Sequence, residues 1–338
     1  MTKDEKPNSK TQALVWIVDS AYTGELNARI GVAERLGHPY EVIPLPNGDA
    51  QGYAQMLNDR YACFAKGRTP KLLIISGTGE ETTAEIADLK LQFEDRQILN
   101  VYLASILPDE LHPRLCEYDL IASPQLAGDN IVSLIGVPHK LTRDTLSNAY
   151  RQHEDYFSTL PKPIIGLLIG GNTRYCDGFN EAHATGLAQR VANIAKPQEA
   201  CLMISNSRRT PASALAALLD ELEGLSYYFF DWRQIELSFY HALLAHADLL
   251  IVSGDSLSMC SEAAYTGKPV LVDLSDNATE SYHREIVGRL IDYGAVKLLT
   301  DCYEPWSYVP PDPADAVVRA IRAWLDGVSD GDVAQCSP

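Results

Sequence analysis

Positive charge is scarce in this 338-residue chain: 28 lysines and arginines stand against 45 aspartates and glutamates, a formal net charge of −17. Nucleic acid is thereby excluded as a main partner, because phosphate backbones need dense Lys and Arg. Strong docking to an anionic membrane is disfavoured for the same reason. No run approaches 18 consecutive apolar residues, so no transmembrane helix is expected. The first residues, MTKDEKPNSKTQ, carry acids and no apolar core, unlike a secretory or transit segment. The seven cysteines (Cys63, Cys116, Cys176, Cys201, Cys260, Cys302 and Cys336) include no Cys-x-x-Cys pair and are odd in number, which argues for free thiols in a reducing compartment. His-Glu-x-x-His is missing, and His241 and His246 would sit about 140° apart on a helix, so no metal site is expected. Gly-x-Ser-x-Gly, Gly-x-Gly-x-x-Gly and Gly-Lys-Ser/Thr are absent too. Their absence counts against an α/β-hydrolase, a dinucleotide fold of the usual kind and a P-loop. What is left is a cytoplasmic protein with at most peripheral contact at the inner face of the membrane.

What is present is a rhythm of short apolar runs and amphipathic segments. A hydrophobic content of 46% is enough for substantial cores, and the length suits two domains of about 150 residues. Strands are expected at 13–18, 40–45, 72–75, 98–103 and 119–122, with helices at 25–36, 53–66, 80–91 and 141–160. After Leu160-Pro161-Lys162-Pro163 the pattern restarts, with strands at 164–169, 200–205, 226–230, 249–252, 270–272 and 296–298. Strands alternating with helices predict parallel sheets covered on both faces, hence an α/β chain of two Rossmann-like, doubly wound domains facing across a cleft. The division reads as a flexible tail at 1–12, a first domain at 13–160 and a second at 161–313. A last helix, 314–328, precedes a second tail at 329–338.

Chemistry concentrates in loops that follow strands of the second half. The stretch Leu249-Leu250-Ile251-Val252, then Ser253-Gly254-Asp255-Ser256, then a helix ended by Gly267 and Pro269, reads as strand, loop, helix. Such a turn aims free N–H groups and a positive dipole end at the sheet edge, where an anion such as a diphosphate is held. An ordinary βαβ turn fits equally well. If Ser256 or Ser258 caps the helix, Glu262 falls outside the capping-box offset and is available for paired sugar hydroxyls. Gly170-Gly171-Asn172-Thr173-Arg174 would let a phosphate approach the backbone, with Asn, Thr and Arg as donors, although taken alone the loop reads first as a tight turn. The loop from Ser205 through Arg208 and Arg209 to Pro211 sets two guanidinium groups beside a helix start, a pairing suited to a diphosphate leaving group, the alternative being a solvated pair of surface arginines. Tyr227 to Trp232 reads first as a strand with its rings in the core and second as a nucleobase wall. In the first half, the loop Asp19 to Glu25 and His139 offer groups for a general base, with Asp19 and Glu25 as the candidates.

These residues carry a resemblance. Ile169-Gly170-Gly171-Asn172, Ser207-Arg208-Arg209-Thr210-Pro211, Asp255 to Ala263 with Gly267-Lys268-Pro269-Val270, and Glu304-Pro305-Trp306-Ser307-Tyr308 make the chain resemble the mitochondrial fission Elm-type family from about Trp16 to Asp312. Bacterial members of that family are associated with glycosyl transfer, some with the lipopolysaccharide outer core. Plant members recruit a dynamin-related protein. The family is in turn similar to the GT-B glycosyltransferases, MurG among them. The resemblance implies a nucleotide-sugar donor in the second domain, a glycan or glycolipid acceptor in the first and no resident cofactor. It places Gly170, Gly171 and Asn172 on the phosphate-facing loop, Ser256, Ser258 and neighbouring Met259 at the diphosphate-facing helix, and Glu262 on the ribose. Two first-half stretches depart from the pattern. Asp19 to Gly24 lacks a Gly-Gly-rich acceptor loop, and Ser76-Gly77-Thr78-Gly79-Glu80-Glu81 replaces a Gly-Arg-Arg-type stretch. A scaffold that keeps the fold, or a nucleotide-sugar epimerase, would share much of the site.

Overall fold

The computed structural model describes residues 14–46, 48–65, 71–78, 82–93, 98–104 and 111–326; the expected tails and the 79–81 loop lie outside them. The chain divides into two compact units, the first holding residues 1–134, 138–140 and 314–338 and the second holding 135–137 and 141–313.

In the first unit, β1 (Leu14–Val18), α1 (Thr23–Leu36), β2 (Tyr40–Ile43), α2 (Ala50–Phe64), β3 (Leu72–Gly77), α3 (Thr83–Gln92), β4 (Ile98–Leu103), β5 (Leu120–Ser123) and β6 (Ile131–Ser133) follow one another. They build a parallel six-stranded sheet of order β2-β1-β3-β4-β5-β6. The Ile131–Ser133 strand has no counterpart in the sequence reading; three residues are too few to show a period.

The second unit begins with α4 (Arg143–Ser158). It continues through β7 (Ile164–Leu168), α5 (Glu181–Ala195), β8 (Cys201–Ser205), α6 (Ala212–Glu221), β9 (Tyr227–Phe230), α7 (Leu237–His246), β10 (Leu249–Ser253), α8 (Leu257–Thr266), β11 (Val270–Asp273), α9 (Ser281–Asp292) and β12 (Lys297–Leu298). Its sheet is also parallel and six-stranded, in the order β12-β11-β10-β7-β8-β9. Successive side chains of a strand point to opposite faces, and the cores follow that rule. Leu250 and Val252 enter one apolar cluster with Leu168, while Leu249 and Ile251 enter the other with Ile165 and Leu167. Both faces are covered, which is why these strands read as unbroken apolar runs.

The expected domain boundary at 160/161 falls too late. Leu141, Leu146, Ala149, Phe157 and Leu160 bury into the second unit's core against Ala242 and Leu243 of α7, so α4 belongs to that unit. Proline spacing marked a local break, but burial of α4's apolar face decides membership. The last helix, α10 (Pro313–Leu325), packs with the first unit: Ala314, Val317, Val318 and Ile321 share a cluster with Val15 and Ile17 of β1. Among the described residues no helix is long and apolar enough to cross a membrane.

Candidate functional site

In the second sheet β7 and β10 are neighbours, yet the chain leaves β7 toward β8 and β9 on one side and resumes at β10 and β11 on the other. Loops therefore part at the carboxyl ends of β7 and β10, the place where doubly wound sheets receive ligands. Gly170 to Arg174 leave β7 there, Ser253 to Ser256 leave β10, and Asn206 to Pro211 come across from β8.

Arg209 fastens these loops together. Its guanidinium donates to the carbonyls of Gly171 and Asn172 (3.0 Å each) and Asp255 (3.2 Å), and lies 2.9 Å from the Asp255 carboxylate. Asp255, only 3% exposed, also accepts the Gly171 N–H at 2.7 Å. Burial pushes its carboxyl above the usual range, opposed by the Arg209 charge. The glycines are there for closeness. A Cβ on Gly170 would lie 2.0 Å from the Asp255 carboxylate, and one on Gly171, whose φ is +142°, would lie 2.2 Å from the Arg209 carbonyl.

The 170–173 backbone donors to which the phosphate reading assigned a ligand have partners within the protein. The Gly170 N–H is taken by the Ser253 hydroxyl (2.7 Å), that of Asn172 by the Arg209 carbonyl (3.1 Å) and that of Thr173 by the Cys176 carbonyl (2.8 Å). The Asn172 side chain accepts from the Phe179 N–H at 3.0 Å, and the Thr173 hydroxyl donates to Glu280. The 170–173 backbone is a closed turn with its donors spent. Ser205 is buried, and its carbonyl accepts from the Ile169 N–H at 2.8 Å. Arg208 differs from its neighbour: it is exposed and forms no ion pair among the described residues. His283 lies close enough to Arg209 for that charge to add to burial, and the two lower its pKa to about 4, so it brings no further charge at neutral pH.

The start of α8 is where donors remain. Ser256 is its N-cap (φ −119°, ψ 92°), but no side chain caps the helix. The first-turn N–H groups beyond it, at Leu257, Ser258 and Met259, carry the partial positive charge of the helix end. Ser256, Ser258 and Met259 are all half-buried. Four residues on from Ser258, and so on the same face about 6 Å along the axis, comes Glu262. It keeps some open surface, and its Oε2 accepts the Tyr240 hydroxyl at 2.8 Å. Burial pushes the Glu262 carboxyl up to about 7, with the Tyr240 hydrogen bond acting the other way.

The site residues that sequence reasoning missed are Asp255 as the partner of Arg209, and Tyr240 and Glu280. Asp255 was legible only as a loop residue, and nothing in an amphipathic helix singled out Tyr240. The aromatic run after β8 proves to be an edge strand, with Tyr227 and Phe229 against the core and Tyr228 exposed.

The first-unit candidates lie at the carboxyl end of its own sheet. Asp19 follows β1, where its carboxylate accepts the Ser20 N–H at 2.7 Å, and Glu25 is in the first turn of α1. Buried Arg29 crosses the corresponding switch point, donating to the carbonyls of Val18 (2.8 Å), Asp19 (2.9 Å) and Thr78 (2.8 Å). A groove of about 710 Å³ beside Leu14, Trp16 and Met56 begins at the other end of β1 and holds no candidate residue.

The model of the family described as mitochondrial fission ELM1 matches residues 23–325. The chain belongs to that family. It is 31% identical over 208 residues to the mitochondrial fission protein ELM1 of Arabidopsis thaliana, a match covering 58% of this chain and 47% of the plant protein, so it spans about half of that relative's length. Solved structures agree on the fold. UDP-GlcNAc 2-epimerase of Neisseria meningitidis, bound to UDP-GlcNAc, superposes with a TM-score of 0.54 at 14% identity over 93% of this chain and 91% of its own. MurG of Acinetobacter baumannii gives 0.52 at 14% identity over 86% of each chain. Two parallel α/β units of this kind are the GT-B fold, and at such identity the likeness concerns fold alone.

Proposed function

We propose that this ELM1-family chain is a metal-independent glycosyltransferase. It moves a sugar from a nucleotide-diphosphate sugar to a glycan or glycolipid acceptor of the cell envelope, such as a lipopolysaccharide core. The observation that carries the reading is the uncapped start of α8 at the switch point, with Glu262 on the same helix face. A diphosphate on the Leu257–Met259 N–H groups would leave its ribose near Glu262. Arg208, exposed and in no ion pair among the described residues, is the cation assigned to the diphosphate, because Arg209 is committed to Asp255.

In the reaction an acceptor hydroxyl attacks the anomeric carbon. A C–O bond forms as the bond to the diphosphate breaks, and the nucleoside diphosphate leaves with the electron pair. The helix end and Arg208 stabilise that developing charge, the electrostatic role usually worth most in such chemistry. The hydroxyl proton passes to a carboxylate, for which Asp19 and Glu25 are the candidates. The helix end and the arginine serve this chemistry with no resident cofactor.

The name of the plant relative favours a second reading, an interaction protein that keeps the fold without catalysis. Calorimetric titration with a panel of nucleoside diphosphates and nucleotide-sugars, beside an Arg208→Ala/Glu262→Ala double variant, separates the two. Binding of one donor, lost in the variant, supports the transferase. No binding by folded protein across the panel supports the scaffold.

A further inference from the structure

Glu262 is held in an unusual way for a residue offered to a ligand. One of its oxygens, Oε2, already accepts the Tyr240 hydroxyl from α7 at 2.8 Å, and no lysine, arginine or histidine pairs with the carboxylate among the described residues. A carboxylate on a flexible stem can rotate through many orientations, and ordering it costs entropy at the moment of binding. A hydrogen bond from a ring on a neighbouring helix removes that freedom beforehand. We infer that Tyr240 is a positioning residue that fixes the Glu262 carboxylate so that Oε1 alone faces a ligand's sugar hydroxyl. This rests on the reading of Glu262 as a nucleotide contact, and it adds which oxygen makes the contact and what selects it.

Two consequences follow from the chemistry. With Oε2 engaged and the carboxylate plane fixed, Oε1 is the oxygen presented to the ribose, so a symmetric fork across both hydroxyls is disfavoured and the 2′ and 3′ hydroxyls are expected to contribute unequally. The contact also needs Glu262 ionised. Burial raises its pKa to about 7, and the hydrogen bond from Tyr240 is the neighbouring interaction that opposes burial. Tyr240 itself is held protonated, raised by burial, by Glu262 and by the Cys260 thiol, so it remains the donor throughout the neutral range. Ligand affinity should therefore rise with pH through about 7. Removing the Tyr240 hydroxyl should move that midpoint upward, because the group that favours ionisation is gone.

The test is calorimetric titration of the full chain with uridine diphosphate and its 2′-deoxy and 3′-deoxy analogues between pH 6 and 8.5. The proteins compared are the unmodified chain, Tyr240→Phe and Glu262→Gln. The expected result is a loss of roughly tenfold for one deoxy analogue and little for the other. Tyr240→Phe should bind about three- to tenfold more weakly at pH 7, with its affinity recovering at higher pH than in the unmodified chain, whereas Glu262→Gln should flatten the pH profile. Equal losses for both analogues, or a Tyr240→Phe profile with an unshifted midpoint, would overturn the inference and leave Glu262 as a ligand residue. Unaltered binding by Glu262→Gln would instead remove Glu262 from the site, and with it the reading beneath. Retained secondary structure in Tyr240→Phe, checked by circular dichroism, separates a positioning loss from unfolding.

Discussion

Arg208 and Arg209 are adjacent in sequence and opposite in role. Arg209 pairs with an aspartate whose side chain is 1% exposed and ties its own loop to two others through their carbonyls. Removing one partner from a buried pair leaves the other charge uncompensated, at about 3–5 kcal/mol. Arg209→Ala is therefore expected to lower stability by roughly 3 kcal/mol, the low end because the guanidinium keeps some solvent contact. Arg208→Ala should leave stability within about 0.5 kcal/mol and weaken nucleoside diphosphate binding tenfold or more. Paired urea melts and titrations of the two variants check this; equal stability losses would contradict the division of labour. From the sequence the two arginines looked alike. Their difference depends on Asp255, which adjoins the Arg209 loop only once β8 and β10 flank β7.

At the scale of the element, α8 carries the proposed diphosphate site. Its start was legible because Ser253-Gly254-Asp255-Ser256 interrupts an apolar run, and its stop because Gly267 adopts a φ of +80° that glycine tolerates. The bare cap was not legible, since a serine before a helix normally caps it. A helix kept only for packing would gain from a better cap. Ser256→Asp should raise stability by about 0.5–1 kcal/mol through capping and the dipole. If the helix end receives a diphosphate, the same change should cut nucleotide affinity by about tenfold or more, because a fixed carboxylate occupies the donors. Thermal melts with and without ligand read both effects. Higher stability with unchanged affinity would show that the anion sits elsewhere. The loop after β7 gives a different lesson: Gly170 and Gly171 read as a tight turn or as a phosphate cradle, and their amides serve the Ser253 hydroxyl and Asp255 as a tight turn's do.

For the whole molecule, strand–helix alternation was enough to give two parallel α/β units, because period-2 burial on both faces of each sheet leaves unbroken apolar runs. Where one unit ends was not readable, since α4 is joined to its partners by packing against α7 and no local signal announces that. Charge bears on function at this scale. In a chain of net charge −17, an anionic ligand is attracted only where local donors outweigh the total, and the place we propose for it in the second unit is the uncapped start of α8, with Arg208 as its cation. Backbone amide resonances of the isotope-labelled chain, followed while uridine diphosphate is added, test that most directly. Shifts concentrated at Leu257, Ser258 and Met259, with smaller ones at Arg208 and Glu262, are the predicted result. Saturable shifts confined to other loops, or none at millimolar ligand, would contradict a diphosphate site at the start of α8.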